Sequence, residues 1–195
     1  HELHRKDLIG PANALDLLSL GPVLLLPWFC RLASKRTVWA LGLVGMLLGQ
    51  GLLAWGLSGA PSVAVVLAGW AVGFAASGVA MAMPFALLAD AVDYGEWRSG
   101  VRAGGLLTAV GAAFCLKAGS GIGGALPAWL LGASGYVAGA QQTPEALRGI
   151  VAGVVAVPAL FLALAIVPVL AYGRFERLGE RIRGELAARS GSVTS

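Results

Sequence analysis

Residues 37–89 read TVWALGLVGMLLGQGLLAWGLSGAPSVAVVLAGWAVGFAASGVAMAMPFALLA, 53 consecutive positions without Asp, Glu, Lys, Arg or His. A membrane-spanning helix needs about 20 apolar residues, so this run alone accommodates two crossings. Ser58-Gly59-Ala60-Pro61-Ser62 is the uncharged reversal between them, and Pro61 can open the next helix because its missing N–H is harmless there. The rest of the chain agrees, with 57% hydrophobic residues, 12% charged residues and a mean hydropathy of +0.79. Soluble domains carry about 25% charged residues, roughly twice this share. A soluble core of 195 residues could not bury so much uncharged sequence. The chain reads as an all-α, polytopic membrane helical bundle.

Working outward from that run gives about five transmembrane helices, over 11–31, 37–57, 62–91, 103–131 and 149–172. Pro22 and Pro27 are expected to bend the first. Pro84, Pro127, Pro158 and Pro168 fall inside or near the ends of spans, positions that soluble helices seldom give to proline. Glycine fills 29 of 195 positions, about twice the usual ~7%, which suits close helix packing in lipid.

Arginines and lysines set the orientation. With the 31–36 turn, the 90–102 block and the C-terminal segment on one side, that side carries ten cations. The other side has Arg5, Lys6 and Arg148, and Lys117 is the fourteenth cation, within the membrane. By the positive-inside rule the first side, with the C-terminus, is cytoplasmic. This clustering beside spans explains the net charge of +4 better than a nucleic-acid footprint does. Beyond Tyr172, Phe175, Leu178, Ile182 and Leu186 recur at helical spacing among arginines and glutamates. Residues 174–189 therefore read as an amphipathic helix along the inner membrane surface, and 190–195 as a disordered tail.

Several residues could carry chemistry. Asp90, Asp93 and Glu96, spaced three apart, share one helix face, and Arg98 and Arg102 follow. They read as an ion-pair cluster at a cytoplasmic helix end, with either a gating role or only a topological one. Lys117 lies twelve residues past Gly105, about 18 Å into a ~30 Å core. It is either satisfied by carbonyls or a structural acid, or it faces a water-filled cavity; intramembrane cations favour the second. Gly119 and Gly123 have the small-xxx-small spacing of tight helix contacts, and no strand precedes them to make a phosphate loop. Asp16, about five residues into the first span, either snorkels to the outer surface or lines a cavity near its mouth. Cys30 and Cys115 lie in apolar runs as small hydrophobes, with no metal site or disulfide framework. No span contains histidine and no nucleophile has a visible base, so the chain does not read as an enzyme and calls for no cofactor.

The block Ala89-Asp90-x-Val92-Asp93-Tyr94-Gly95-Glu96-x-Arg98-x-Gly100-x-Arg102, then Lys117-x-Gly119 and Gly135-Tyr136, resembles the glycoside–pentoside–hexuronide:cation symporters, the melibiose-permease-like branch of the major facilitator superfamily. The similarity runs from about Asp7 to Arg183. The resemblance implies a fold of two six-helix halves, of which this chain holds helices eight to twelve, the C-terminal half. The partner would then be a missing N-terminal half carrying most ligands for the sugar and for the coupling cation, H⁺ or Na⁺. It implies a sugar or glycoside substrate, membrane lipid around the bundle, alternating access and a bacterial inner membrane. It also places Lys117 at the substrate and cation cavity, and makes Asp90, Asp93, Glu96 and Arg102 an inner gate closed against the other half. Two positions depart from the pattern. Gly104 stands where relatives carry a glutamate. Met81 stands where the melibiose permease has a tryptophan, which removes a stacking surface that Phe85 would have to supply. Another solute of the same superfamily, such as a lipid, or a truncated non-transporting fragment are the alternatives.

Overall fold

The computed structural model describes residues 14–58 and 62–193, all of the regular structure being helical. The first span is a bent pair: α1 (Leu15–Leu24, its first turn tightened to 3-10) and α2 (Leu26–Leu32) meet at 52°. The bend falls at Leu25, between the two prolines expected to cause it. Residues 11–13 of that expected span lie outside the described residues, as do 59–61 of the reversal. The next helices are α3 (Lys35–Leu57), α4 (Val63–Ser99) and α5 (Gly104–Ala133, with a π-helical stretch at Leu107–Ala112). The last helix, α6, runs through Pro144–Val151, a π-helical stretch at Ala152–Ala156, and Val157–Val193. By length and apolarity α3 to α6 can each cross a membrane, and the bent pair makes a fifth if it is one span.

Local chemistry fixes the ends. Ser34 Oγ accepts from Thr37 N at 3.2 Å to start α3, and Thr143 Oγ1 does the same for Ala146 N, with Pro144 in the first turn. Gly100, at φ 71°, ends α4 in the left-handed conformation that glycine adopts without Cβ strain, its N–H donating to Glu96 O at 2.8 Å. So α4 continues past the expected span end at Ala91 and takes most of the charged block into a helix. Charge ends the membrane crossing; it does not end the helix. Likewise α6 passes through Tyr172 without a break, so 174–189 extends the last span. There Ile182 is 4% exposed against protein, and the backbone is helical to Val193, with residues 194 and 195 outside the described set.

The bundle is organised around the α3–α4 hairpin. Gly42, Gly49 and Gly56 recur every seven residues on α3, with Gly45 between the first two. A Cβ added to Gly42 would lie 3.0 Å from Ala80 N, and one on Gly49 would lie 2.8 Å from both Gly69 O and Gly73 Cα. One on Gly45 would meet Ala76 Cβ at 2.7 Å. These glycines let the two backbones touch, the route to helix association where lipid removes the hydrophobic drive between helices. The bent first span packs on one side of this pair, where Met83, fully buried, joins Val38 and Val79 beneath Leu26 and Phe29. On the other side α6 sets fully buried Val169 against Leu43 and Ala80, and Val155 against Leu53 and Val66.

α5 is different. None of its residues is buried. It touches α4 near one end, where Leu88 Cδ1 would lie 3.9 Å from a Cβ on Gly111, and it meets α6 where Pro127 faces Gly153. Gly119 and Gly123 have nothing within 4 Å of an added Cβ, so the tight contact read for them has no partner among the described residues.

Gly49→Leu is expected to destabilise the bundle by about 1–3 kcal/mol through overpacking. Gly51→Leu, whose Cβ direction is open, should be neutral by comparison. Thermal unfolding of both variants in detergent checks the contrast.

Candidate transport site

The charges at one end of the bundle form a knot. Asp90, on α4, accepts from Lys35 Nζ at 2.8 and 2.7 Å through its two carboxylate oxygens, and from Tyr172 Oη at 2.5 Å. Arg183 adds a guanidinium 3.6 Å away. Lys35 is held from the backbone too, its N–H donating to Glu176 Oε1 at 2.6 Å. Three helices are thereby tied by one carboxylate, whose side chain is 20% exposed. Partial burial strengthens such charge-assisted bonds and raises the cost of breaking one side only. A second tie lies alongside. Trp97 Nε1 donates to Glu185 Oε2 at 2.6 Å, while Arg181 Nε donates to Glu185 Oε1 at 2.8 Å, which holds Arg181 above its ordinary pKa. Tyr94 stacks edge-on with Phe175 at 5.4 Å.

The rest of the acidic block is arranged otherwise. Glu96 pairs with Arg102 at 2.9 Å and Asp93 lies 4.0 Å from it, with Arg102 67% exposed. Arg98 reaches Tyr94 Oη at 3.4 Å. The block thus splits into an inner acid, Asp90, held within the bundle, and an outer group around Arg102 that solvent reaches. The Lys35, Tyr172, Glu176 and Arg183 contacts escaped sequence reasoning, which had used the lysine and arginine only to orient the chain. The signal was a half-buried acid needing a cation, with the Lys35-Arg36 turn on the same side. Between α4 and α6 this end encloses a cavity of about 390 Å³ lined by Asp90, Asp93, Tyr94, Tyr172, Phe175 and Arg183, among others.

Lys117 stands on the open α5. Its side chain is exposed, and it makes no hydrogen bond or ion pair among the described residues. From the Gly111–Leu88 contact, six more residues along both antiparallel helices, about 9 Å, bring Lys117 level with Ala82. Met81 and Phe85, 62% and 53% exposed, are therefore at about its depth. All three proposed cavity residues are exposed, Lys117 on α5 and Met81 and Phe85 on α4. Asp16 lines a pocket between α1, α3 and α4 whose wall also includes Met81.

Among the described residues no group of three or more His, Cys, Asp or Glu could hold a metal ion. The chain's residues 15–173 match the family model described as MFS/sugar transport protein. It is 36% identical to the isoprimeverose transporter of Lactiplantibacillus pentosus over 88% of this chain and 36% of that one. It is 40% identical to a glucuronide carrier protein homolog of Escherichia coli (strain K12), over 73% of this chain and 30% of the relative. A putative 2,3-dihydroxypropane-1-sulfonate exporter of the same organism is 34% identical over 86% of this chain and 36% of its own. The chain thus spans about a third of the length of these curated relatives. No solved structure gives a significant match. These relatives are transporters, and the helices and acidic block fit them: the chain is a multi-pass membrane protein of the MFS/sugar transport protein family, among the glycoside–pentoside–hexuronide symporters of the major facilitator superfamily.

Proposed function

We propose that this chain is the C-terminal half of a cation-coupled sugar symporter that works by alternating access in a bacterial inner membrane, with its C-terminus in the cytoplasm. The observation that carries this reading is α5, a helix apolar enough to cross a membrane with no buried residue and an exposed lysine that has no partner among the described residues. A face of that kind needs a second wall. In transporters built from two bundles, substrate and coupling ion bind near midplane between them. A missing N-terminal half would cover α5, give Gly119 and Gly123 their close neighbour, and supply most ligands for H⁺ or Na⁺. Lys117 then borders the shared cavity, with Met81 and Phe85 shaping the sugar side. Relatives named for isoprimeverose and for a glucuronide support a sugar or glycoside as substrate. The relative named for a sulfonate supports a second reading, in which the solute is a small anion and Lys117 its counter-charge.

The two charge groups divide the gating work. The Asp90 knot keeps α3, α4 and α6 together as one rigid unit, while Asp93, Glu96 and Arg102 are free to exchange partners with the other half. A double-mutant cycle between Lys35→Met and Asp90→Asn should return a coupling of about 1–3 kcal/mol in unfolding experiments. The exposed Glu96–Arg102 pair should return under about 1 kcal/mol.

In the full-length transporter, Lys117→Ala should bring concentrative sugar uptake to background with membrane insertion unchanged. Lys117→Arg should rescue poorly, because a planar fork does not replace a compact ammonium. Uptake by Lys117→Ala at the unmodified rate would make the residue structural and remove the site. For orientation, cysteines introduced at Ser99 and Ser58 should label from opposite faces of sealed cells, Ser99 from the cytoplasm. Labelling of both from one face would overturn the topology.

A further inference from the structure

Asp16 is an acid in an apolar span that makes no ion pair among the described residues. It sits on the 3-10 turn of α1, which packs so closely on α4 that Gly78 meets the backbone of Ser19. That packing sets Asp16 at the edge of a cavity of about 420 Å³ whose wall also includes Gln50 of α3 and Trp70, Phe74, Ser77 and Met81 of α4. Gly49, Gly69 and Gly73 also line it, and of these three only Gly73 has an open Cβ direction. Its chemistry is mixed. Asp16 only accepts. Gln50 offers both donor and acceptor, and its Oε1 is buried with no donor bonded to it. Ser77 Oγ gives its proton to Phe74 O at 2.8 Å and keeps its lone pairs. Trp70 brings an indole N–H and, set edge-on to Phe74 at 6.3 Å, an apolar face.

A bare cation would need acceptors alone, and a lipid chain would need none. Hydroxyl groups both give and take hydrogen bonds, and a sugar ring adds an apolar C–H face for an aromatic to cover. The volume falls within the range of small-molecule sites. Met81, largely exposed, stands where this cavity borders the open side of the bundle at the level of Lys117. We propose that the Asp16–Gln50–Ser77–Trp70 cavity is a sugar-hydroxyl subsite within this half, reached past Met81 and setting which glycoside is held. An orphaned buried carbonyl is destabilising until a donor arrives, so a hydroxyl bound to Gln50 recovers free energy that the empty site lacks. The inference rests on the transport reading, which its test keeps separate.

The test uses the full-length transporter in sealed vesicles, with isoprimeverose and a β-glucuronide as probes, and two readouts. The first is the half-saturating sugar concentration for uptake by Asp16→Asn and Gln50→Leu. The second is alkylation at position 77 in Ser77→Cys, with and without sugar, read by peptide mass. The expected result is a rise of about tenfold in half-saturation for each variant at unchanged maximal rate, as follows from losing one charge-assisted or buried hydrogen bond. Sugar should also slow alkylation at position 77. Unchanged half-saturation together with alkylation indifferent to sugar would overturn the subsite while leaving transport intact. Loss of Na⁺ or pH dependence in Asp16→Asn, with sugar affinity unchanged, would overturn it in favour of a cation site. If the unmodified protein takes up neither probe yet sugar still protects position 77, the subsite stands and the transport reading falls. No uptake with no protection defeats both.

Discussion

Everything in this bundle depends on how closely α3 and α4 approach. In water, burying leucines would hold two helices together; in hydrocarbon the tails are as apolar as leucine, and that drive vanishes. What remains is surface contact, which grows as backbones come nearer. The glycines at 42, 45, 49 and 56 permit that approach, and at Gly49 nothing stands between its Cα and the backbone of Gly69 and Gly73. The hairpin becomes a slab with two usable sides. The bent first span and α6 occupy them, each through a fully buried residue, Met83 and Val169. α5 has no equivalent place. Its contacts are limited to its two ends, and the middle, with Lys117, is left uncovered.

The charged end repeats this logic in electrostatic terms. A helix leaving the membrane need not stop, because the backbone hydrogen bonds that formed inside persist outside. Both α4 and α6 therefore project, and their extensions meet. Asp90, partly screened from water by that meeting, is worth more to the fold than the acids one and two turns further out. The acids themselves are 20–28% exposed; what separates the two groups is the cation, Lys35 at 29% against Arg102 at 67%. The aromatic contacts between Tyr94 and Phe175, and between Trp97 and Glu185, dock the α6 extension on α4. Residues 174–189 thus turn their apolar stripe in part toward protein at Ile182, where periodicity alone pointed to lipid.

How much of this was legible in the sequence follows from the range of each signal. Hydropathy over tens of residues is a strong, local quantity, so the helical membrane class and the crossings could be read from residues 37–89. The bend at Leu25 could be read from two prolines. The family block was recognisable because Asp-Tyr-Gly-Glu with a later lysine is unusual. Helix ends were not legible where charge replaced apolar residues, since charge marks the membrane boundary and Gly100 marks the helix end. The packing glycines were in view but unread: their heptad spacing on α3 is as plain as Gly119 and Gly123, yet spacing does not say which face has a neighbour. Pairings across long separations, such as Asp90 with Lys35 and Arg183, need the fold first. A sequence shows that a cation is required, and only the structure shows which.

The remaining charges make the strongest case that this bundle, over its described residues, is energetically incomplete. Lys117 and Asp16 both lie in spans, and opposite charges in hydrocarbon should seek each other. Among the described residues they do not: Lys117 is on the uncovered face of α5, and Asp16 lines a pocket between α1, α3 and α4. Each charge is thus left to be satisfied separately, by water, by a solute or by another polypeptide wall. An unpaired charge held apart from its natural partner by a rigid core is costly for a structural scaffold and useful for a carrier. It supplies binding free energy only when a complementary group arrives.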